Sequence, residues 1–200
     1  MPKARLATHQ LHYDIDGDAD GTPLLLIMGL GGSSRGWQAL QVPEFSRQHR
    51  PIAYDHRGVG GSEDPGGAFS GADLADDAVR LMDVLGIARA HVLGVFMGGM
   101  VAQELALRHA KRVERLVLVG TYARPDAKRR MLLEKWKAMV GHGLPLELVA
   151  QERMLWTLSD ETLEQTDLID PMMQGFLRDR FPMPDDVFLR QCDACLGHDA

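Results

Sequence analysis

The sequence predicts an α/β fold with a largely parallel sheet, and three observations carry that prediction. Apolar runs of strand length alternate with segments of helical spacing from Leu24 to Gly120. Glycine-rich turns follow three of those runs, around Gly29, Gly58 and Gly94. Beyond Gly120 strand signals stop, and apolar residues recur only at helical spacing.

Taken in order, Arg5 to Thr8 and Leu11 to Ile15 read as the first strands, the second alternating at Leu11, Tyr13 and Ile15. Asp16 to Gly21 is a turn cluster. Leu24 to Met28 is continuously apolar, the pattern of a strand covered on both faces. It leads into Gly29-Leu30-Gly31-Gly32-Ser33-Ser34 and a helical segment from Trp37 to Phe45. Such a turn brings backbone N–H groups close to a ligand. Without a Walker lysine, or G-x-G-x-x-G in its proper setting, nucleotide binding is disfavoured.

Arg50 to Asp55 is the next strand, and it ends in a turn from Asp55 to Ser62. Ser70 with Asp73 has the spacing of an N-cap opening a helix. Leu74, Ala78, Leu81 and Leu85 form that helix's apolar stripe, and Gly86 fits its C′ position. Ala90 to Val95 is a strand, followed by a helix that carries Val101, Ala102 and Leu105 toward the sheet. Val113 to Val119 is the last strand. Helices are then predicted over Asp126–Val140, Pro145–Trp156, Asp160–Ile169 and Asp185–Leu196, punctuated by Pro125, Pro145, Pro171 and Pro184. Their Met and Trp residues serve to pack helices together or to line an adaptable apolar pocket.

Composition narrows the partners. The chain carries a net charge of -6 with 25% charged residues, and no Lys/Arg stripe. Nucleic acid and anionic membrane surfaces are therefore not expected partners. No apolar segment is long enough for a signal peptide or a bilayer span, so a cytoplasmic protein is expected. The two cysteines, Cys192 and Cys195, supply half of a zinc site at most and are expected to pack. No metal and no cofactor is expected.

Gly94-Val95-Phe96-Met97-Gly98 has the glycine spacing of a nucleophile elbow, the Gly-x-Ser-x-Gly turn that lifts a serine above a parallel sheet. Phe96 stands where the serine belongs. A phenyl ring has no lone pair with which to attack a carbonyl.

These pieces together resemble the α/β-hydrolase superfamily, and within it the small esterase and lactonase group that includes 3-oxoadipate enol-lactonases. Three motifs carry the resemblance. Leu26 to Ser33 is similar to the oxyanion loop, with Met28 where a His usually precedes the glycine. Asp55-His56-Arg57-Gly58-Val59-Gly60-Gly61-Ser62 is similar to the Asp-x-Arg-Gly-x-Gly-x-Ser turn, and residues 94–99 to the elbow.

The resemblance implies a core over residues 1–122 and a helical cap over 123–197. It implies oxyanion donors at the backbone N–H groups of Leu30 and Met97, and a pocket at Gly29, Trp136, Met139 and Trp156. It also implies an acid and a His base on later strands, which this sequence does not reach. The sheet is thus expected to lack its last two strands, leaving 113–119 as an apolar edge prone to self-association.

His56 is expected to be structural and His91 packed, with nothing to activate Ser33 or Ser34. His198 and Asp199 are expected to form a frayed tail. The expected activity is ester or lactone hydrolysis lost with the nucleophile. The alternatives are a non-catalytic module that binds a small apolar ester- or lactone-like ligand, or a partial chain of a serine hydrolase.

Overall fold

A computed structural model describes residues 2–177 and 183–200. Six strands form one sheet in the order β1-β2-β4-β3-β5-β6. They are β1 (Lys3–Arg5), β2 (Gln10–Ile15), β3 (Thr22–Ile27), β4 (His49–Tyr54), β5 (Ala90–Val95) and β6 (Val113–Val119). β1, β2 and β4 pair antiparallel, whereas β4, β3, β5 and β6 run parallel. The first strand lies earlier than the expected Arg5–Thr8, because Leu6 N–H donates to the His9 carbonyl at 2.8 Å and residues 6–9 make the turn into β2.

Central β3 explains its own sequence. Leu24, Leu25, Leu26 and Ile27 are all buried, alternating between two apolar clusters on opposite faces of the sheet. One face carries α2 (Gly71–Val84) and α3 (Met97–Arg108). Ser70 and Asp73 form a reciprocal capping box at the start of α2. Its end is a Schellman turn through Gly86 (φ 68°), with Ile87 N–H donating to the Met82 carbonyl. The other face carries a 3₁₀ turn at Ser34–Trp37 and the short α1 (Gln41–Phe45). The single helix expected over Trp37–Phe45 is thus broken, since Pro43 has no N–H to extend a helix backward and fits only its first turn.

After β6 come α4 (Ala127–Gly141), α5 (Leu146–Thr157), α6 (Asp160–Leu163), α7 (Thr166–Leu177) and α8 (Asp185–Leu196). The expected Asp160–Ile169 helix is two helices, divided after Leu163, where Glu164 caps α6. Pro171 does not stop α7 but lies within it, in the second turn, where it forgoes one backbone hydrogen bond. Helices α4 and α8 pack on each other, and their Leu133, Trp136, Phe188, Cys192 and Cys195 join the main cluster of the sheet. Among the described residues no helix is long and apolar enough to cross a membrane.

The tail is ordered. His198 is buried, with Nδ1 3.6 Å from Glu104 Oε1, and Ala200 N–H donates to the Ala123 carbonyl at 2.9 Å. Fraying is prevented because α8 delivers the tail directly onto α3. Strand β6 contrasts with β3: Leu116, Val117, Leu118 and Val119 are 39–47% exposed, because among the described residues β5 is its only neighbour in the sheet.

Candidate functional site

The candidate site lies where β3, β4, β5 and β6 end, at three glycine turns on one rim of the parallel sheet. At the elbow, Phe96 has φ 51° and ψ -117°, the one non-glycine positive φ among the described residues. This conformation comes from the strand-to-helix turn. A Cβ on Gly94 would lie 2.2 Å from the Gly98 carbonyl oxygen, and one on Gly98 would lie 2.2 Å from that of Ile27. Only glycine lets α3 begin so close to β3 and β5.

The turn therefore holds position 96 up in the strained geometry a nucleophile needs, at a cost of about 1–3 kcal/mol. Phe96 N–H donates to the Val119 carbonyl at 2.9 Å, which ties the elbow to β6. The ring is 43% exposed and spans from Gly29 to Gly120. Cβ atoms on those two glycines would approach it to 3.2 Å and 2.8 Å.

The second turn is built around Asp55, buried at the end of β4. Its carboxylate accepts from Ser34 N–H at 2.6 Å and Gly61 N–H at 2.9 Å, while its own carbonyl accepts from Ser62 Oγ at 2.7 Å. Gly60 (φ 57°) passes so near that a Cβ would lie 2.2 Å from Asp55 Oδ2. Arg57 donates through Nε to buried Asp77 at 2.7 Å, joining the turn to α2. Next to it His56 is fully buried, and Nε2 lies 3.0 Å from the Met28 carbonyl oxygen. A carbonyl only accepts, so Nε2 carries the proton. Burial lowers the imidazole pKa and keeps the ring neutral. Asp55 and His56 thus hold the loop after β3, residues 28–34, from below through Ser34 and Met28.

The third turn is that loop. Leu30 and Met97 are both buried, and neither N–H donates to another described residue. Gly29 lies against Phe96. The Leu30 carbonyl accepts from Arg153 of α5, and Gly31 N–H donates to Gln191 Oε1 of α8 at 2.9 Å. The Arg153 guanidinium lies over Trp136 at 5.8 Å and over Phe188 at 5.6 Å. Trp136 is thereby linked to Leu30, and Met139 packs part-buried beside the main cluster.

Trp156 lies elsewhere. It is 45% exposed, with its ring 4.7 Å from Lys128 Nζ and its indole N–H donating to Glu152. An open apolar groove of about 550 Å³ runs between α3 and β6, lined by Leu107, Leu116, Leu118 and Tyr122, away from Gly29 and Trp136.

The Ser34 hydroxyl is buried without a partner among the described residues. Both cysteines are buried, and burial pushes the Cys192 thiol up to about 12 and raises Cys195 as well. Among the described residues no group of three or more His, Cys, Asp or Glu is placed to hold a metal. No local pattern in the sequence announces Arg153 and Gln191, which meet the loop across 123 and 160 residues.

Residues 22–181 match the family model described as the alpha/beta hydrolase fold. The chain belongs to that family. A protein of Variovorax paradoxus named as a carbamate hydrolase, RutD, is 43% identical over 120 residues, covering 58% of this α/β hydrolase and 44% of the relative. One of Mycobacterium tuberculosis, named as a non-heme bromoperoxidase, BpoC, is 36% identical over 156 residues, or 76% of this chain and 58% of that one. The crystal structure of the enol-lactonase from Burkholderia xenovorans superposes with TM-score 0.86 at 29% identity, covering 99% of this α/β hydrolase and 74% of that chain. This α/β hydrolase spans about half the length of the curated relatives it matches.

Proposed function

We propose that this α/β hydrolase descends from enzymes that open carboxylic esters, lactones or related acyl groups, and that it performs no serine hydrolysis itself. One observation carries the reading: a phenyl ring occupies the summit of an otherwise intact elbow. Losing a triad nucleophile costs about a millionfold in turnover, or ~8 kcal/mol of barrier. The backbone donors at Leu30 and Met97 do not depend on that side chain. They leave a site able to bind a small apolar ester- or lactone-like molecule through its carbonyl oxygen.

The purified chain is expected to hydrolyse p-nitrophenyl esters and lactones no faster than buffer and to take no label from a fluorophosphonate. Turnover well above background in the unaltered chain would refute the reading. Phe96→Ser joined to the part of the enol-lactonase that this chain does not cover is expected to recover ester hydrolysis, which would identify the ancestral reaction.

We also propose that this chain self-associates along β6, whose four exposed apolar residues and unpaired edge favour strand addition. Sedimentation should show concentration-dependent association, abolished by Val117→Lys. A monomer at all concentrations would remove the proposal.

A further inference from the structure

Two side chains from the helices beyond β6 grip the same peptide unit of the oxyanion loop. Arg153 donates through Nη2 to the Leu30 carbonyl oxygen, and Gln191 Oε1 accepts from Gly31 N–H at 2.9 Å. The carbonyl and the N–H belong to one rigid plane and point to opposite sides of it. Partners on both sides fix the plane's rotation. Gly31 makes this approach possible twice over. Its φ is 71°, and a Cβ there would lie 2.8 Å from Arg153 Nη1.

The plane next to it, Gly29–Leu30, carries the Leu30 N–H. The two planes share only the Leu30 Cα, so holding one leaves the other just the Leu30 φ and ψ. Gln191 is fully buried, with Oε1 on the loop and Nε2 without a partner among the described residues. An apolar side chain would fill that space without stranding a donor, so the loop contact is the one polar return for burying this amide. Helix α8 is itself seated on the Asp55 turn and the segment that follows it. Arg190 donates to Asp64 at 2.6 Å and to the Gly67 carbonyl at 2.9 Å, and Val187 packs against Gly58.

We infer that Arg153 and Gln191 are positioning residues for the oxyanion loop, so that the direction of the Leu30 N–H depends on how α5 and α8 sit. The inference rests on reading Leu30 as a carbonyl-binding donor, as proposed above.

Residue-resolved amide exchange on the full chain tests it. Gln191→Leu is expected to speed exchange at Gly31 about tenfold while Leu25, Leu26 and Val92 in the sheet keep their rates. Gln191→Glu retains the acceptor and should hold Gly31 near the parent rate. Arg190→Ala, which touches no loop atom, should also speed Gly31 by loosening α8. The inference is overturned by an unchanged Gly31 in Gln191→Leu, by equal acceleration in the sheet, or by Glu behaving as Leu does.

A second arm isolates the reading beneath it. In the Phe96→Ser chain, affinity for phenylboronic acid should fall about tenfold when Gln191→Leu is added. If the boronate binds neither chain, the carbonyl-binding reading fails, and the exchange rates still decide whether the two side chains hold the peptide.

Discussion

The Asp55 turn and the Phe96 elbow are neighbours on one rim of the sheet, and their side chains relate to the backbone in different ways. In the turn, backbone and side chain serve the same end. Gly60 makes room for the carboxylate that holds Ser34 and Gly61 in place. In the elbow the two are separate. The glycines at 94 and 98 shape the backbone, whereas the side chain at 96 is half-exposed, lies over Gly29 and Gly120, and accepts or donates no hydrogen bond. A fold can therefore keep the elbow indefinitely while the chemistry at its tip is exchanged. The lesson is that motif glycines report architecture, and only the residue between them reports reaction.

That contrast can be broken experimentally. The backbone demand should be equal in the two places. Gly98→Ala and Gly60→Ala each drive a Cβ to 2.2 Å from an oxygen, and each should cost about 3 kcal/mol or more in urea unfolding. The side-chain demand should be unequal. Asp55→Ala strands two N–H groups and should cost about 3 kcal/mol, whereas Phe96→Gly trades ring contacts for relief of a positive φ and should stay within about 1 kcal/mol. If Phe96→Gly unfolds the protein as readily as Asp55→Ala, the ring is structural and the contrast collapses.

The smallest effect concerns pH. Burial lowers the His56 pKa from its ordinary 6.5, so the unfolded chain binds the proton more readily than the folded one. That stabilisation is complete above pH 6.5 and fades as pH falls toward the folded value. The drop in melting temperature from about pH 7.5 to about pH 5.5 should shrink in His56→Gln and persist in Phe96→Gly.

Much of this was legible in the chain itself. The apolar run at Leu24–Met28, the Ser70–Asp73 spacing and the glycine pattern at Gly58 to Gly61 are local signals, and each local signal met the structure it implied. What escaped was set at long range or by a single turn. Strand β1 lies earlier than its pattern predicts because residues 6–9 form a turn without glycine or proline. Pro171 looked like a stop, yet α7 tolerates it in an early turn. His198 looked like a free end because nothing in its neighbourhood reveals Gln103 and Glu104, placed alongside it by the packing of α3. The grip of Arg153 and Gln191 on the loop belongs to the same class.

The burial of Cys192 and Cys195 gives this molecule a built-in stopwatch. They are its only thiols, both sit on α8, and neither is accessible or readily ionised while that helix is seated. A thiol reagent in excess can reach them only during the moments when α8 lifts. The rate of label uptake, once it stops rising with reagent concentration, is therefore the frequency at which α8 leaves its seat.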